Sequence, residues 1–177
     1  MIEYRNISAD EINRALFSSF IRRQTVVKCV RRENGVWVVR DDPFIDDWSE
    51  DDYRFLIKCL RRTVTSGGFL QGAFSDEQLK GFVSVEPELF GKKSNYLDLS
   101  SLHVSADFRG KGIGRALFEA AKRFAAQKGA EKLYISSHSA VETQAFYKKM
   151  GCVDAEEPNE KHVAKEPFDR QLECSTK

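Results

Sequence analysis

Leu102-His103-Val104-Ser105-Ala106-Asp107-Phe108-Arg109-Gly110-Lys111-Gly112-Ile113-Gly114-Arg115-Ala116-Leu117 decides the reading of this chain. An extended run ends in a short turn, Gly110, Gly112 and Gly114 follow, and apolar residues then recur at Ile113, Ala116, Leu117, Ala120 and Phe124. That spacing (i, i+3, i+4, i+7, i+11) predicts a helix with one buried face, stopped by Gly129. Strand, glycine turn and helix together lay out an anion site. The first helical turn presents N–H groups with no intrahelical partner, and the helix dipole adds positive potential. Glycine lets the backbone approach a phosphate without Cβ interference, and Arg109, Lys111 and Arg115 add charge at the same point.

A glycine-rich turn carrying solvated basic residues satisfies the same description, so the spacing has to discriminate. A P-loop needs Gly-x-x-x-x-Gly-Lys followed by Ser or Thr, but Lys111 is followed by Gly112 and the leading glycine is missing. A dinucleotide fingerprint needs Gly-x-Gly-x-x-Gly, and here Gly114 comes one residue too early. The spacing that does fit is Arg-x-x-Gly-x-Gly, Arg109 to Gly114.

In that spacing, and across Leu102 to Leu117, the chain strongly resembles the acetyl-CoA motif of the GNAT superfamily of N-acetyltransferases. Further on, Ala145-Phe146-Tyr147-Lys148-Lys149-Met150-Gly151-Cys152 is similar to that superfamily's second signature. The two stand in the right order with a strand between them. The resemblance implies an α/β GNAT fold: a mixed, mostly antiparallel sheet with a parallel, splayed central strand pair, flanked by helices. It implies acetyl-CoA as cosubstrate, with its pantetheine arm held by main-chain groups of Leu102, His103 and Val104. The pyrophosphate would lie on the amides of Arg109, Gly110, Lys111, Gly112, Ile113 and Gly114, beside Arg115. The reaction implied is direct attack of a primary amine on the thioester carbonyl, without an acyl-enzyme.

Such a transfer needs donors for the developing oxyanion, which the main chain near Leu102 to Val104 could supply. It also needs an acid for the departing thiolate, and Tyr147, counted among the cofactor-binding residues as well, matches the family's position for it. A phenol is protonated at neutral pH and lies within ~2 pKa units of a thiol. Phe146 beside it reads as the packing residue. For the base that takes the amine proton, Asp98, Glu86 and His138 are candidates, with Asp98 carried as the catalytic one. Alternation places Asp98 and Ser100 on one strand face and Ser101 and His103 on the other, unless the strand is bulged. The chain also departs from the family pattern. Seven residues before the tyrosine, where many members carry asparagine, stands Ala140, preceded by Ser137, His138 and Ser139, whose hydroxyls are possible substitutes.

Outward from this core the sequence reads as one domain, residues 1–177, with acceptor-side elements over about 1–95 and the cofactor half over about 96–177. Ile2 to Ile7 reads as a strand. Ser8-x-x-Glu11 is a capping box, and Ile12, Ala15, Leu16, Ser19 and Phe20 predict a helix after it. Asn34-Gly35 between β-branched runs predicts a hairpin over residues 25–40, and Asp41 to Trp48 a loop. Ser49-x-x-Asp52 caps a helix with Tyr53, Leu56, Ile57, Leu60 and Val64 on its buried stripe, stopped by Ser66-Gly67-Gly68. Phe69–Phe74 and Gly81–Glu86 read as a hairpin about Ser75 to Gln78. Strands follow at Tyr96–Val104 and Lys132–Ser136, a short helix at Val141–Met150, and two strands near Cys152–Ala155 and Phe168–Cys174.

The bulk composition is that of an ordinary globular protein, 41% hydrophobic and 31% charged, with net charge +1. A charge so close to zero gives no electrostatic footprint for nucleic acid. No apolar run is long enough for a membrane span, and no export signal is visible at the start. Cys29, Cys59, Cys152 and Cys174 form no Cys-x-x-Cys pair, and His103, His138 and His162 lack metal-ligand spacing, so no metal is expected and the cysteines suit the cytoplasm; the expected state, monomer or homodimer, is not fixed by the sequence. The acidic stretch Asp41, Asp42, Asp46, Asp47, Glu50, Asp51, Asp52, with Trp37, Phe44 and Trp48 interleaved, reads either as solvated, helix-capping acids or as a mouth attracting a small cationic or peptide amine. A non-catalytic acyl-CoA-binding module on the same fold is the alternative to an enzyme.

Overall fold

A computed structural model describes residues 1–177. Nine strands and four α-helices alternate along the chain: β1 Glu3–Asn6, β2 Gln24–Glu33, β3 Val36–Asp46, α1 Glu50–Thr65, β4 Phe69–Ser75, β5 Gln78–Val85, β6 Tyr96–Val104, α2 Ile113–Gln127, β7 Lys132–Ser137, α3 Val141–Lys149, β8 Val153–Asp154, α4 Glu160–Lys165 and β9 Arg170–Ser175. Seven strands form one sheet in the order β1-β4-β5-β6-β7-β9-β8, and β2 with β3 forms a separate hairpin. Every pairing is antiparallel except β6 with β7. That parallel pair spans only Tyr96/Lys132, Leu97/Leu133 and Asp98/Tyr134. Beyond Asp98 the strands separate, and a bulge at Ser100, between Val85/Leu99 and Ser84/Ser101, bends β6 away. No helix is long and apolar enough to cross a membrane.

The core lies on both faces of this sheet. On one, α2 lays Ile113, Leu117, Phe118, Ala121 and Ala125 against Val83, Val85, Leu97, Leu99 and Leu133. Gly81 is what lets it come so close: a Cβ there would meet Ile113 Cγ2 at 2.8 Å and Leu117 Cδ1 at 3.1 Å. On the other, α1 packs Tyr53 and Leu60 with Phe17, Phe20, Leu70 and Phe82. The Ser49/Asp52 capping box forms at the start of α1, with Asp52 N–H donating to Ser49 Oγ at 3.2 Å, a device worth about 1 kcal/mol.

Two expectations are corrected. Residues 12–20 are not an α-helix but two single 3₁₀ turns, Ala9–Glu11 and Arg14–Phe17. The Ser8/Glu11 box forms as read, but Asn13 then caps a new turn by accepting from Leu16 N–H. This restart turns Ile12, Phe17 and Phe20 inward together, each at most 6% exposed. Asp41 to Asp46 is not loop either: β3 continues through Pro43 to Asp46, pairing Ile45 with Thr25 and Phe44 with Val26. Pro43 is tolerated because it falls at the register shift between Val26 and Lys28, where it has no paired partner on β2. Helix α4 was not anticipated; Asn159 caps it by accepting from Lys161 N–H at 3.0 Å.

The β2–β3 hairpin turns at Asn34 (φ 48°) and Gly35 (φ 79°), the left-handed pair of a type I′ turn. An isolated hairpin is marginal in water, and this one is anchored on the loop after β7. Val30 N–H donates to Ser139 O at 2.7 Å, and Val26, Cys29 and Phe44 close over the fully buried Ala140. The hairpin thereby roofs the end of the split between β6 and β7.

Candidate functional site

A cleft of about 590 Å³ opens where β6 and β7 part. Leu99 to Val104 form one wall, Ile135, Ser136 and His138 the other, the turn of Gly110, Gly112 and Gly114 one end, and Phe146 and Tyr147 of α3, with Met150 just after it, part of the floor. Asp98, carried as the catalytic carboxylate, is not in it.

The glycine turn has the geometry that its sequence implied. Gly110 and Gly112 adopt φ of 77° and 80°, and Gly112 is the N-cap of α2 without any side-chain cap. The N–H groups of Ile113, Gly114 and Arg115 therefore have neither a helical acceptor nor a capping oxygen, and no acidic residue occupies the first turn. Arg109 and Lys111 flank them; the Lys111 ammonium sits 4.0 Å over the Phe108 ring. Gly114 faces α3, where a Cβ would meet Phe146 at 3.2 Å. A phosphate-sized anion fits this cradle on the criteria of donors, charge and backbone access.

Along β6 the ladder settles which main-chain groups face the split. Ser105 N–H donates to Lys80 O on the β5 side at 2.8 Å, and alternate residues of an antiparallel strand direct their groups to the same neighbour. His103 main-chain groups therefore go to β5, while those of Leu102 and Val104 turn toward the cleft. The His103 ring packs between Trp48 (centroids 4.8 Å) and Phe82 (5.5 Å). Burial, with the Arg22 and Arg109 cations nearby, pushes its pKa down to about 3, so the ring is neutral.

Tyr147 is 6% exposed, packed edge-on against Phe118 and Phe146. Its hydroxyl bonds to no group of the chain and is reached from the cleft. Burial raises its pKa, with the Asp169 charge adding to the effect, so the phenol stays protonated.

The base candidates fare differently. Asp98 sits in the sheet under α4, bonded through Oδ2 to His162 Nε2 at 2.8 Å. Its neighbours on that face are Tyr96 and Tyr134 rather than the cleft. Glu86 is held by Thr63 of α1 at 2.7 Å, also away from the cleft. His138 lines the cleft, but Ala140 N–H donates to its Nδ1 at 3.1 Å. Ser139 and Ser137 do not stand free for a ligand either. Ser139 Oγ accepts from Arg31 at 2.7 Å and Ser137 Oγ from Gln144 at 2.9 Å, while Ala140 is where the hairpin docks.

Among the lining residues that sequence reading missed, Arg22 and Asp169 stand out. Arg22 is 9% exposed, pairs with Asp46 and lies 5.0 Å over Trp48. Asp169 precedes β9 and accepts from Ser136 Oγ at 3.1 Å. No local motif marks either; only the pairing of β9 with β7 brings Asp169 to the split. The acidic stretch is largely neutralised internally: Asp46 by Arg22, Asp42 by Arg31 at 2.6 Å, Asp51 by Arg54, with Asp52 spent as a cap.

Comparison with known proteins agrees with this geometry. The model of the acetyltransferase (GNAT) family matches residues 34–152. No protein of curated function gives a significant match. Among solved structures, a nourseothricin acetyltransferase superposes with a TM-score of 0.71 at 17% identity, over 99% of both chains. A protein assigned as a streptothricin acetyltransferase from Bacillus anthracis str. Ames, solved with acetyl coenzyme A, gives 0.70 at 15% identity over 98% of this chain and 96% of that one. The PaiA N-acetyltransferase of Thermoplasma acidophilum, with coenzyme A, gives 0.63 at 17% identity over 99% of both. A mostly antiparallel sheet split at one parallel pair, an uncapped glycine-initiated helix at the mouth of that split and a family match over residues 34–152 lead to one conclusion: the chain belongs to the acetyltransferase (GNAT) family.

Proposed function

We propose that this acetyltransferase moves the acetyl group of acetyl-CoA to a primary amine by direct attack, with Tyr147 protonating the thiolate that leaves. The observation carrying this reading is the coincidence, in one cleft, of a split strand pair, a helix start free to hold an anion, and a protonated phenol reached from that cleft. Amides at the start of α2, with Arg109, Lys111 and Arg115, would grip the pyrophosphate. Leu102 and Val104 would offer main-chain partners to the pantetheine arm and to the oxyanion. Two similar structures were solved with acetyl coenzyme A or coenzyme A, which supports the choice of cosubstrate. The acceptor is a small-molecule or peptide amine. The four free cysteines fit a reducing compartment, the cytoplasm.

A thiol-release assay with acetyl-CoA against an amine panel tests this, on wild type and Tyr147→Phe. Wild type should turn over at least one amine, and the variant should lose about 10²–10⁴-fold in kcat with coenzyme A affinity unchanged. Wild type that binds coenzyme A by calorimetry yet acetylates no amine would mark a non-catalytic acyl-CoA-binding module instead.

A further inference from the structure

Building on that reading, we propose that Asp169 is the general base that takes the proton of the acceptor amine. Two carboxylates line the cleft, Asp169 and Glu142, and Glu142 is exposed at the start of α3. Asp169 is half-buried on the wall formed by β7 and β9, opposite the β6 residues that face the split.

An oriented chain of hydrogen bonds ends on it. Asn159 N–H donates to Tyr134 Oη at 2.7 Å, and Tyr134 donates to Gln171 Oε1. Gln171 Nε2 donates to Ser136 Oγ at 3.0 Å, and Ser136 donates to Asp169 Oδ2 at 3.1 Å. All four bonds point toward Asp169, so the chain fixes one carboxylate oxygen. Oδ1 accepts from no group of the chain and is left for a ligand. The competing cleft base is disfavoured: with His138 Nδ1 accepting from Ala140, the neutral ring carries its proton on Nε2 and has no lone pair free. Tyr147 feels the Asp169 charge, which puts acid and base within electrostatic reach of each other.

The amine enters as an ammonium ion. Asp169 removes one proton, and the freed nitrogen pair forms the N–C bond while the carbonyl π pair moves onto oxygen. Collapse of that oxyanion breaks the C–S bond, and the pair leaves on sulfur, which takes the Tyr147 hydroxyl proton. The nitrogen's remaining extra proton restores the phenol, and the proton on Asp169 passes to solvent. The net change is ammonium plus acetyl thioester giving amide, thiol and one proton.

Burial raises the Asp169 pKa, opposed by the Ser136 bond. The ionisable groups around it are Glu166 on its own loop, His138 after β7, His162 of α4 and Tyr147 of α3. The acid limb of kcat/KM should therefore lie above the ordinary carboxylate value of about 3.9.

The test measures kcat/KM against pH for wild type, Asp169→Asn and Asp169→Glu, with the best amine of the panel, alongside coenzyme A affinity and melting temperature. Asparagine keeps an acceptor for Ser136, so the fold and coenzyme A binding should survive while kcat/KM falls about 10²–10⁴-fold. Asp169→Glu should keep part of the rate with a displaced acid limb. Wild type active and Asp169→Asn within threefold of it, with the same acid limb, overturns Asp169 as base and leaves acetyl transfer standing. Wild type inactive on every amine overturns both. If the asparagine variant melts early, Asp169→Glu decides, and an acid limb unmoved in it refutes the assignment.

Discussion

Gly112 precedes α2 at φ 80° and ψ 0°, and an ideal Cβ built on it meets no heavy atom within 4 Å. Gly112→Ala therefore acts through the backbone alone within the protein. A side chain in the left-handed region costs about 1–2 kcal/mol, and in a chain of this size 1 kcal/mol lowers Tm by roughly 2–4 °C. The expected loss is about 2–8 °C. If the turn also cradles the pyrophosphate of acetyl-CoA, the new methyl group and any relaxation of φ disturb amides that donate charge-assisted bonds. Each such bond is worth about 1.5–3 kcal/mol, so coenzyme A affinity should fall about 10- to 100-fold. Gly67→Ala supplies the control, since Gly67 has φ 94°, equally open space and a position after α1 outside the cleft. Thermal denaturation without ligand and calorimetric titration with coenzyme A separate the two effects. Both variants should lose similar stability, and only Gly112→Ala should lose affinity. If Gly112→Ala binds coenzyme A within twofold of wild type, or if Gly67→Ala weakens it as much, the cradle is refuted.

The acidic stretch separates into members that matter and members that do not. Asp46→Asn strands the buried Arg22 cation, and removing one partner of a buried pair costs about 3–5 kcal/mol. With Asp46 itself 23% exposed, a loss near about 3 kcal/mol is expected. Asp41→Asn, whose Lys28 partner is 3.9 Å away with both side chains mostly exposed, should change stability by less than about 0.5 kcal/mol; equal melting shifts for the two variants would contradict this. His162 has its pKa raised, chiefly by the Asp98 hydrogen bond. Its contribution is fully present below the unfolded value of about 6.5 and fades as pH rises through the higher folded value. The Tm gap between wild type and His162→Gln should thus be larger at pH 5.5 than at pH 8.5, and the opposite trend would show that the pair does not stabilise.

What the sequence made legible was local. Spacing alone placed β6, α2 and the Asn34-Gly35 hairpin, because each is decided by neighbours within about a turn or two. Residues 12–20 misled because their apolar spacing is helical, while Asn13 offers a competing cap that restarts the chain after one turn. Asp98 misled because alternation along β6 gives a face but not what covers it, and α4, six residues long, covers it with His162. Asp169 and Arg22 were invisible for the complementary reason: both reach the cleft from sequence positions far from the motif, through the pairing of β9 with β7 and the ion pair with Asp46. Ala140, odd as a ligand-binding position, makes sense as the seat of a hairpin far upstream in the sequence.

Only three residue pairs join β6 to β7, so the large sheet is two half-sheets buttoned at one end, β1-β4-β5-β6 and β7-β9-β8. Amides of β6 beyond Asp98 that face the seam should exchange with solvent sooner than those locked to β5. A donor lying along the seam would act as a missing strand and lock the halves together. By mass action, a ligand at a hundred times its Kd adds about 2.7 kcal/mol to a fold that binds it only when native. The durability of this acetyltransferase would then follow the supply of acetyl-CoA, its cosubstrate, and the folded chain would persist longest where acyl donor is plentiful.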